Sequence, residues 1–218
     1  LIKASSGTLT LSAANTYGGG TTVNLGTLIV GNAGSLGSGA VTLNGGTLDL
    51  NYATIGAITN VITSNGGTIT GGQTTASVTT TGSPPTVTAV LTGAGGLTKT
   101  DAGTLTISTA NFHTGATVAN VAGAVIRAAH LSDTSSSLGA SALDVPANLV
   151  LGLGAKLEFT GITATSTTRS FTVAGSAGIV AGSGVNNAAA RGMMSLCTVI
   201  ENGYYPATTA HAANILGS

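Results

Sequence analysis

GTLTLSAANTYGGGTTVNLGTLIVGNAGSLGSGAVTLNGGTLDLN, residues 7–51, alternates short apolar-and-hydroxyl runs with clusters of Gly and Asn. In Thr8-Leu9-Thr10-Leu11-Ser12 the Leu side chains point one way and the hydroxyls the other, the period of two that marks a half-buried strand. The alternation recurs at Thr27-Leu28-Ile29-Val30, Val41-Thr42-Leu43 and Thr47-Leu48-Asp49-Leu50. Beyond this stretch it returns at Thr68-Ile69-Thr70, Leu105-Thr106-Ile107, Lys156-Leu157-Glu158-Phe159 and Ser170-Phe171-Thr172-Val173. β-Branched Thr and Val suit a pleated surface. Gly, Asn-Gly and Gly-Gly bound the runs and supply the positive φ of tight corners.

The pattern is repeated along the chain. Residues 1–15, LIKASSGTLTLSAAN, align without gaps on residues 97–111, LTKTDAGTLTISTAN, with nine identities that run from Leu1/Leu97 and Lys3/Lys99 to Asn15/Asn111. Downstream the copies drift, through Ser35-Leu36-Gly37 against Ser137-Leu138-Gly139, as loops take insertions. Candidate inward residues Leu9, Leu28, Leu48, Ile69 and Leu91, then Leu105, Val125 and Val145, are separated by a step of about twenty. That is one coil of a right-handed parallel β-solenoid, in which three short strands turn round a narrow core. Dividing 218 by this step predicts about ten or eleven coils and a length of roughly 50 Å at about 4.8 Å per coil. The predicted inward set is Leu9, Leu11, Leu28, Val30, Leu43, Leu48, Leu50, Ile69, Leu105, Ile107, Val125, Leu157, Phe159, Phe171 and Val173. An antiparallel sandwich would show similar strands and turns. The coil-sized spacing and a core without Trp favour the solenoid.

Only 6% of the 218 residues are charged, six basic against six acidic, where an ordinary domain carries about 25%. With no net charge and no basic run there is no electrostatic footprint for nucleic acid or for an anionic membrane surface. Gly, Thr and Ser together make about two residues in five, yet 42% of the chain is hydrophobic, which excludes linker-like disorder. Aromatic residues are 3%, so the core is thin and aliphatic. A single cysteine, Cys197, closes no intramolecular disulfide, and no run approaches the 18 or so apolar residues of a membrane-spanning helix. Leu1-Ile2-Lys3-Ala4 lacks the order of a signal peptide, and the expectation is a fragment of a longer chain whose leader has been removed.

Residues 1–185 are thus expected to form the solenoid, from copies at 1–94 and 95–185. In residues 186–218 the repeat pattern is lost, and Asn187 to Leu196 is a candidate short helix, capped by Asn and propagated by Ala. Met193, Met194, Leu196, Tyr204 and Tyr205 bring large apolar side chains, and such a segment suits an end cap or a subunit junction.

Residues 7–51 closely resemble the passenger-associated β-strand repeat of bacterial autotransporters and related giant surface proteins. The elements that carry the resemblance are Lys3, Gly7 to Ser12, Asn15 to Tyr17, the corner Gly18 to Val23 and Gly26 to Leu28. A second, degenerate copy starts at Leu97, with Phe112-His113 where Thr16-Tyr17 stand, and TTRSFTVAGSAGI, residues 167–179, is similar to family sequence too. The resemblance covers about 1–52 and 95–182. It implies a secreted, surface-exposed β-helix of a Gram-negative-type bacterium, serving as stalk or adhesive passenger, with structural rather than catalytic recurrent positions.

Candidate chemistry is sparse. His113 occupies the corner equivalent to Tyr17 and reads as a turn residue rather than a base, while His130 and Asp133 lie in a polar insertion. Cys197 sits between Leu196 and Thr198 and reads as a small core residue. Asp49, Asp101, Asp133, Asp144 and Glu158 fall at spacings that no coil repeat superposes, unlike the paired carboxylates of a polysaccharide-cleaving β-helix. Gly71-Gly72-Gln73-Thr74 lacks the Asp of a calcium-binding roll, and no Lys-Ser/Thr follows Gly18-Gly19-Gly20 as in a phosphate loop. No catalytic residue, metal or cofactor is therefore expected. Structural corners are expected at Asn15, Tyr17, Gly18, Gly19, Asn111 and His113, with the two Asn amides bonded to backbone groups. The expected function is a non-enzymatic extracellular module, a stalk, adhesin passenger or fibre subunit. Self-association, head-to-tail or lateral, is expected because between Lys3 and Lys99 only Asp49 is charged. The rival from the binding class is a Thr-bearing face, with pairs such as Thr8/Thr10, Thr68/Thr70 and Thr104/Thr106, that recognises ice or a glycan.

Overall fold

Strands of a few residues between glycine corners can bury an apolar face only by stacking on copies of themselves, and in the computed structural model they do. The structure describes residues 1–51, 57–74, 77–82, 85–132, 136–140, 145–152, 154–161, 171–173, 177–181 and 199–201. Ten strands, from Ile2–Lys3 to Val199–Glu201, form one sheet, and nine, from Thr8–Leu11 to Gly178–Ala181, form a second. Ala57–Ile58, Gln73–Thr74 and Val90–Leu91 add a third, narrow wall. Every strand pairs in parallel with the strand one coil away, as in Thr21–Val23 on Val41–Leu43. The antiparallel contacts among the described residues are single bridges, Asn111 with Ser136 and Leu131 with Ser136. The chain is a parallel β-solenoid, not a sandwich.

Among the described residues the stack holds slightly fewer coils than division by twenty gives, because the coils are unequal. Val23 is in register with Leu43, whereas Ala119 is in register with Leu151, 32 residues on. The single helical turn among the described residues, Pro146–Asn148, lies in that long coil. No described helix is long and apolar enough to cross a membrane. Val199–Glu201 lies within the non-repeat segment and supplies the tenth strand of the first sheet, paired with Phe171–Val173. The candidate helix from Asn187 to Leu196 lies outside the described residues, as do Cys197 and the apolar side chains Met193, Met194, Tyr204 and Tyr205.

Parallel register turns each inward position into a column. Behind the second sheet the column runs Leu9, Leu28, Leu48, Ile69, Val87, Ile107, Ala128 and Phe159. From Leu28 onward each of these is fully buried; Leu9 and Leu11, in the first coil, are half-buried and pack against the same core. Val30, Leu43, Leu50, Leu105, Leu157 and Phe171 are buried as well, and the side chain of Val173 lies outside the described set.

Four residues of the evenly spaced series stand outside this column. Leu105 is buried two residues ahead of Ile107, which takes the column position. Leu91 is buried but belongs to the third wall. Val125 points outward between Thr104 and Lys156, while Ala124, Ile126 and Ala128 point in. Val145 is 40% exposed, ahead of the Pro146–Asn148 turn. A fixed step carried into unequal coils loses register, and an odd error puts a side chain on the opposite face of its strand.

Leu48 is held between Leu28 and Ile69, and Thr47 faces outward beside it. Leu48→Ala should lower unfolding free energy by about 2–5 kcal/mol, and Thr47→Ala should change it by about 0.5 kcal/mol or less, in chemical denaturation.

Candidate functional site: the polar corners

One corner is built the same way in both repeat copies. Exposed Asn15 donates through Nδ2 to Ser35 O in the next coil at 2.7 Å and to Ala13 O at 3.3 Å. Asn111, only 2% exposed, donates through Nδ2 to Ser137 O at 2.8 Å, and its Oδ1 accepts from Leu91 N at 2.9 Å. Two residues on, the Tyr17 hydroxyl lies 2.7 Å from Thr21 Oγ1 and donates to Ser35 O at 3.3 Å. In the second copy buried His113 places Nε2 3.0 Å from Thr117 Oγ1. The Thr117 hydroxyl donates its one proton to Leu138 O at 3.1 Å, so Nε2 of His113 is the donor to Thr117.

The next coil answers with Ser-Leu-Gly. Gly37 takes φ 62° against Tyr17 and Gly139 takes φ 88° against His113. A Cβ at Gly37 would lie 2.9 Å from the Tyr17 ring, and one at Gly139 would lie 2.6 Å from the His113 ring. A Cβ at Gly18 would make only ordinary contact with Ser38 Oγ, one at Gly19 would meet open space, and neither glycine takes a left-handed φ, whereas a Cβ at Gly20 would meet Ala40 O at 2.6 Å. Sequence reasoning does not single out Ser35, Gly37 or Gly20, although Ser35-Leu36-Gly37 aligns with Ser137-Leu138-Gly139.

A second set of corners carries a polar column that the sequence reading missed. Asn24, Asn44 and Asn65 follow successive strands of the first sheet. Asn44 Nδ2 donates to Asn24 Oδ1 at 2.9 Å, Asn65 Nδ2 to Asn44 Oδ1 at 2.8 Å, and Thr81 Oγ1 to Asn65 Oδ1 at 2.6 Å. Asn recurring at intervals of 20 and 21 was the available signal.

The charged groups also stitch coils and corners. Lys3 is buried and donates to Ser5 O, to Ser5 Oγ at 3.3 Å and to Leu25 O in the next coil at 3.0 Å. Lys99, its counterpart in the second copy, is buried in an ion pair with Asp101 and donates to Gly82 O at 3.3 Å. On the outer face of the second sheet Arg127 Nε bonds Glu158 Oε2 at 2.7 Å, and Asp49 Oδ1 accepts from Asn51 N at 2.9 Å. His130 is exposed with its backbone N–H on Ser137 Oγ, and Asp133 and Asp144 lie outside the described residues. No group of three or more His, Cys, Asp or Glu among the described residues could hold a metal ion.

Outward Thr also falls into columns. Thr8, Thr27, Thr47, Thr68, Thr86 and Thr106 line the second sheet. Thr22, Thr42, Thr63, Thr79 and Thr98 line the first.

Comparison with known proteins gives a consistent result. The passenger-associated-transport-repeat family matches residues 1–30 and 97–125, the two copies found by self-alignment. An autotransporter adhesin, BmaC, of Brucella suis biovar 1 (strain 1330) is 36% identical over 190 residues, which cover 82% of this chain. The chain spans 5% of the length of that relative. No solved structure matches the chain at a significant level.

The equivalent corners differ in burial, and this sets what each amide contributes. Asn111→Ala leaves Leu91 N and Ser137 O without partners inside the fold and should cost about 1–3 kcal/mol; Asn15→Ala, at an exposed corner, should cost about 0.5–1.5 kcal/mol. Ser35 Oγ is buried without a hydrogen-bond partner, so Ser35→Ala should leave stability unchanged or raise it. Thermal melts of the three variants check the order.

Proposed function

Because the chain belongs to the family of autotransporter passenger repeats, we propose that it is a length of non-enzymatic rod in a secreted surface passenger, holding an adhesive region away from the cell. The observation that carries this reading is the engagement of the polar groups. The described carboxylates Asp49, Asp101 and Glu158 each bond a neighbouring group of the fold, and the Asn side chains tie one coil to the next. The Thr columns stand on both sheets rather than on one face, as strand-forming chemistry requires, and this favours the rod over a Thr face for ice or glycan. Near-neutral walls, with Asp49 the one charge between Lys3 and Lys99, support lateral association with further solenoid surface.

A rod tolerates a change of length and a binding site does not. Removing residues 24–43 takes out one register-matched coil, since Val23 pairs with Leu43. The shortened chain should fold cooperatively, about 4.8 Å shorter, and bacteria displaying the full passenger with this deletion should adhere as before. Loss of adhesion by a passenger that still folds would overturn the spacer reading.

A further inference from the structure

The corners after the first-sheet strands meet two demands at once, and together they make a reactive pair. The hydrogen-bonded column needs an amide at 44 and 65, because each must donate to one neighbour and accept from the other. The turn needs glycine immediately afterwards. Gly66 takes φ 138°, and a Cβ at Gly45 would lie 2.8 Å from Asn24 O. In Asn-Gly the backbone nitrogen of the second residue reaches the side-chain Cγ of the first with least obstruction, since no Cβ stands in its path. Among the described residues, neither Gly45 N–H nor Gly66 N–H donates a backbone hydrogen bond.

We propose that Asn44 and Asn65 are sites of spontaneous amide loss whose rate is set by the amide column. Gly45 N attacks Asn44 Cγ, a new N–Cγ bond closes a succinimide, and the Cγ–Nδ2 bond breaks. The amide leaves as ammonia, carrying away the proton of Gly45 N. Water then opens the ring to aspartate or isoaspartate. Gly66 and Asn65 react in the same way. Attack requires the side chain to turn toward the following nitrogen, and the column opposes that turn: Asn44 is tied to Asn24 by Nδ2 and to Asn65 by Oδ1. Opening of the corner is therefore the rate-controlling event. Asn24 carries the same column but precedes Leu25, whose Cβ obstructs the approach, so it is a control within the chain.

The product changes the rod. A carboxylate at 44 cannot donate to Asn24 Oδ1, so two acceptors face each other across the coils. It also places a negative charge in the stretch from Lys3 to Lys99, whose one other charge is Asp49. The inference rests on the corner geometry and not on the spacer reading above.

The test incubates the folded chain in mildly alkaline buffer and maps amide loss by peptide mass spectrometry with isoaspartate detection. Wild type, Asn24→Ala, Thr81→Val and urea-unfolded wild type are compared. Folded wild type should lose amide at Asn44 and Asn65, not at Asn24, and more slowly than the unfolded chain. Asn24→Ala should speed loss at Asn44 alone, and Thr81→Val at Asn65 alone, each roughly fivefold, the factor that one net hydrogen bond corresponds to. Equal rates in folded and unfolded wild type would overturn the proposal. So would wild-type rates at both sites in variants that circular dichroism shows to be folded.

Discussion

The parallel hydrogen-bond ladder between coils is the constraint from which the rest of the structure follows. A strand of three residues buries too little to persist alone, and here it is held by backbone bonds to the coil before and the coil after. Those bonds fix the axial spacing at about 4.8 Å, so each side chain stacks directly on its counterpart. A residue is therefore suitable only if it packs against the residue at its register position in the next coil. Leu on Leu and Ile behind the second sheet, Thr on Thr outside it, and Asn on Asn at the corner are three solutions to that one requirement.

This requirement also explains why the fold was legible. Period-two alternation and the self-alignment at an offset of 96 residues, Leu1 on Leu97, both survive in the sequence because columns penalise drift. What was not legible was the register of the second half. Lys3 and Lys99 share a column on the first sheet, yet on the second sheet the ladder carries Thr8 to Thr106 rather than to its sequence partner Thr104. The slip is of two residues, and an even slip keeps every Thr outward and every Leu inward. Val125 and Val145 were misplaced because a mean step carries no information about which coil absorbs an insertion.

The candidate site was legible in part. Asn15, Tyr17, Asn111 and His113 could be paired because the alignment is ungapped there, but their acceptors, Ser35 and Ser137, lie a coil away across a changed spacing. Burial was not readable from the alignment either. Asn15 is exposed and Asn111 is buried, and the difference arises from the inserted segment that carries Leu131 and Ser136 to the second corner.

The two copies differ in the strands that follow the corner between the sheets. In the first, three residues separate Val23 from Thr27, Leu43 from Thr47 and Ser64 from Thr68, and glycines with positive φ close the turn at 26, 46 and 67. So tight a corner leaves its first residue projecting toward the same residue of the next coil, and Asn can bond in both directions along such a column. In the second copy the strands after the corner lengthen to five residues, Gly103–Ile107 and Ala124–Ala128. The added backbone pairs, Gly103 with Ala124 and Thr104 with Val125, supply ladder bonds that the first copy lacks. The side-chain column ends at Thr81, ahead of the first lengthened strand. The same tight turn that lines up the Asn column also dictates the glycines beside Asn44 and Asn65.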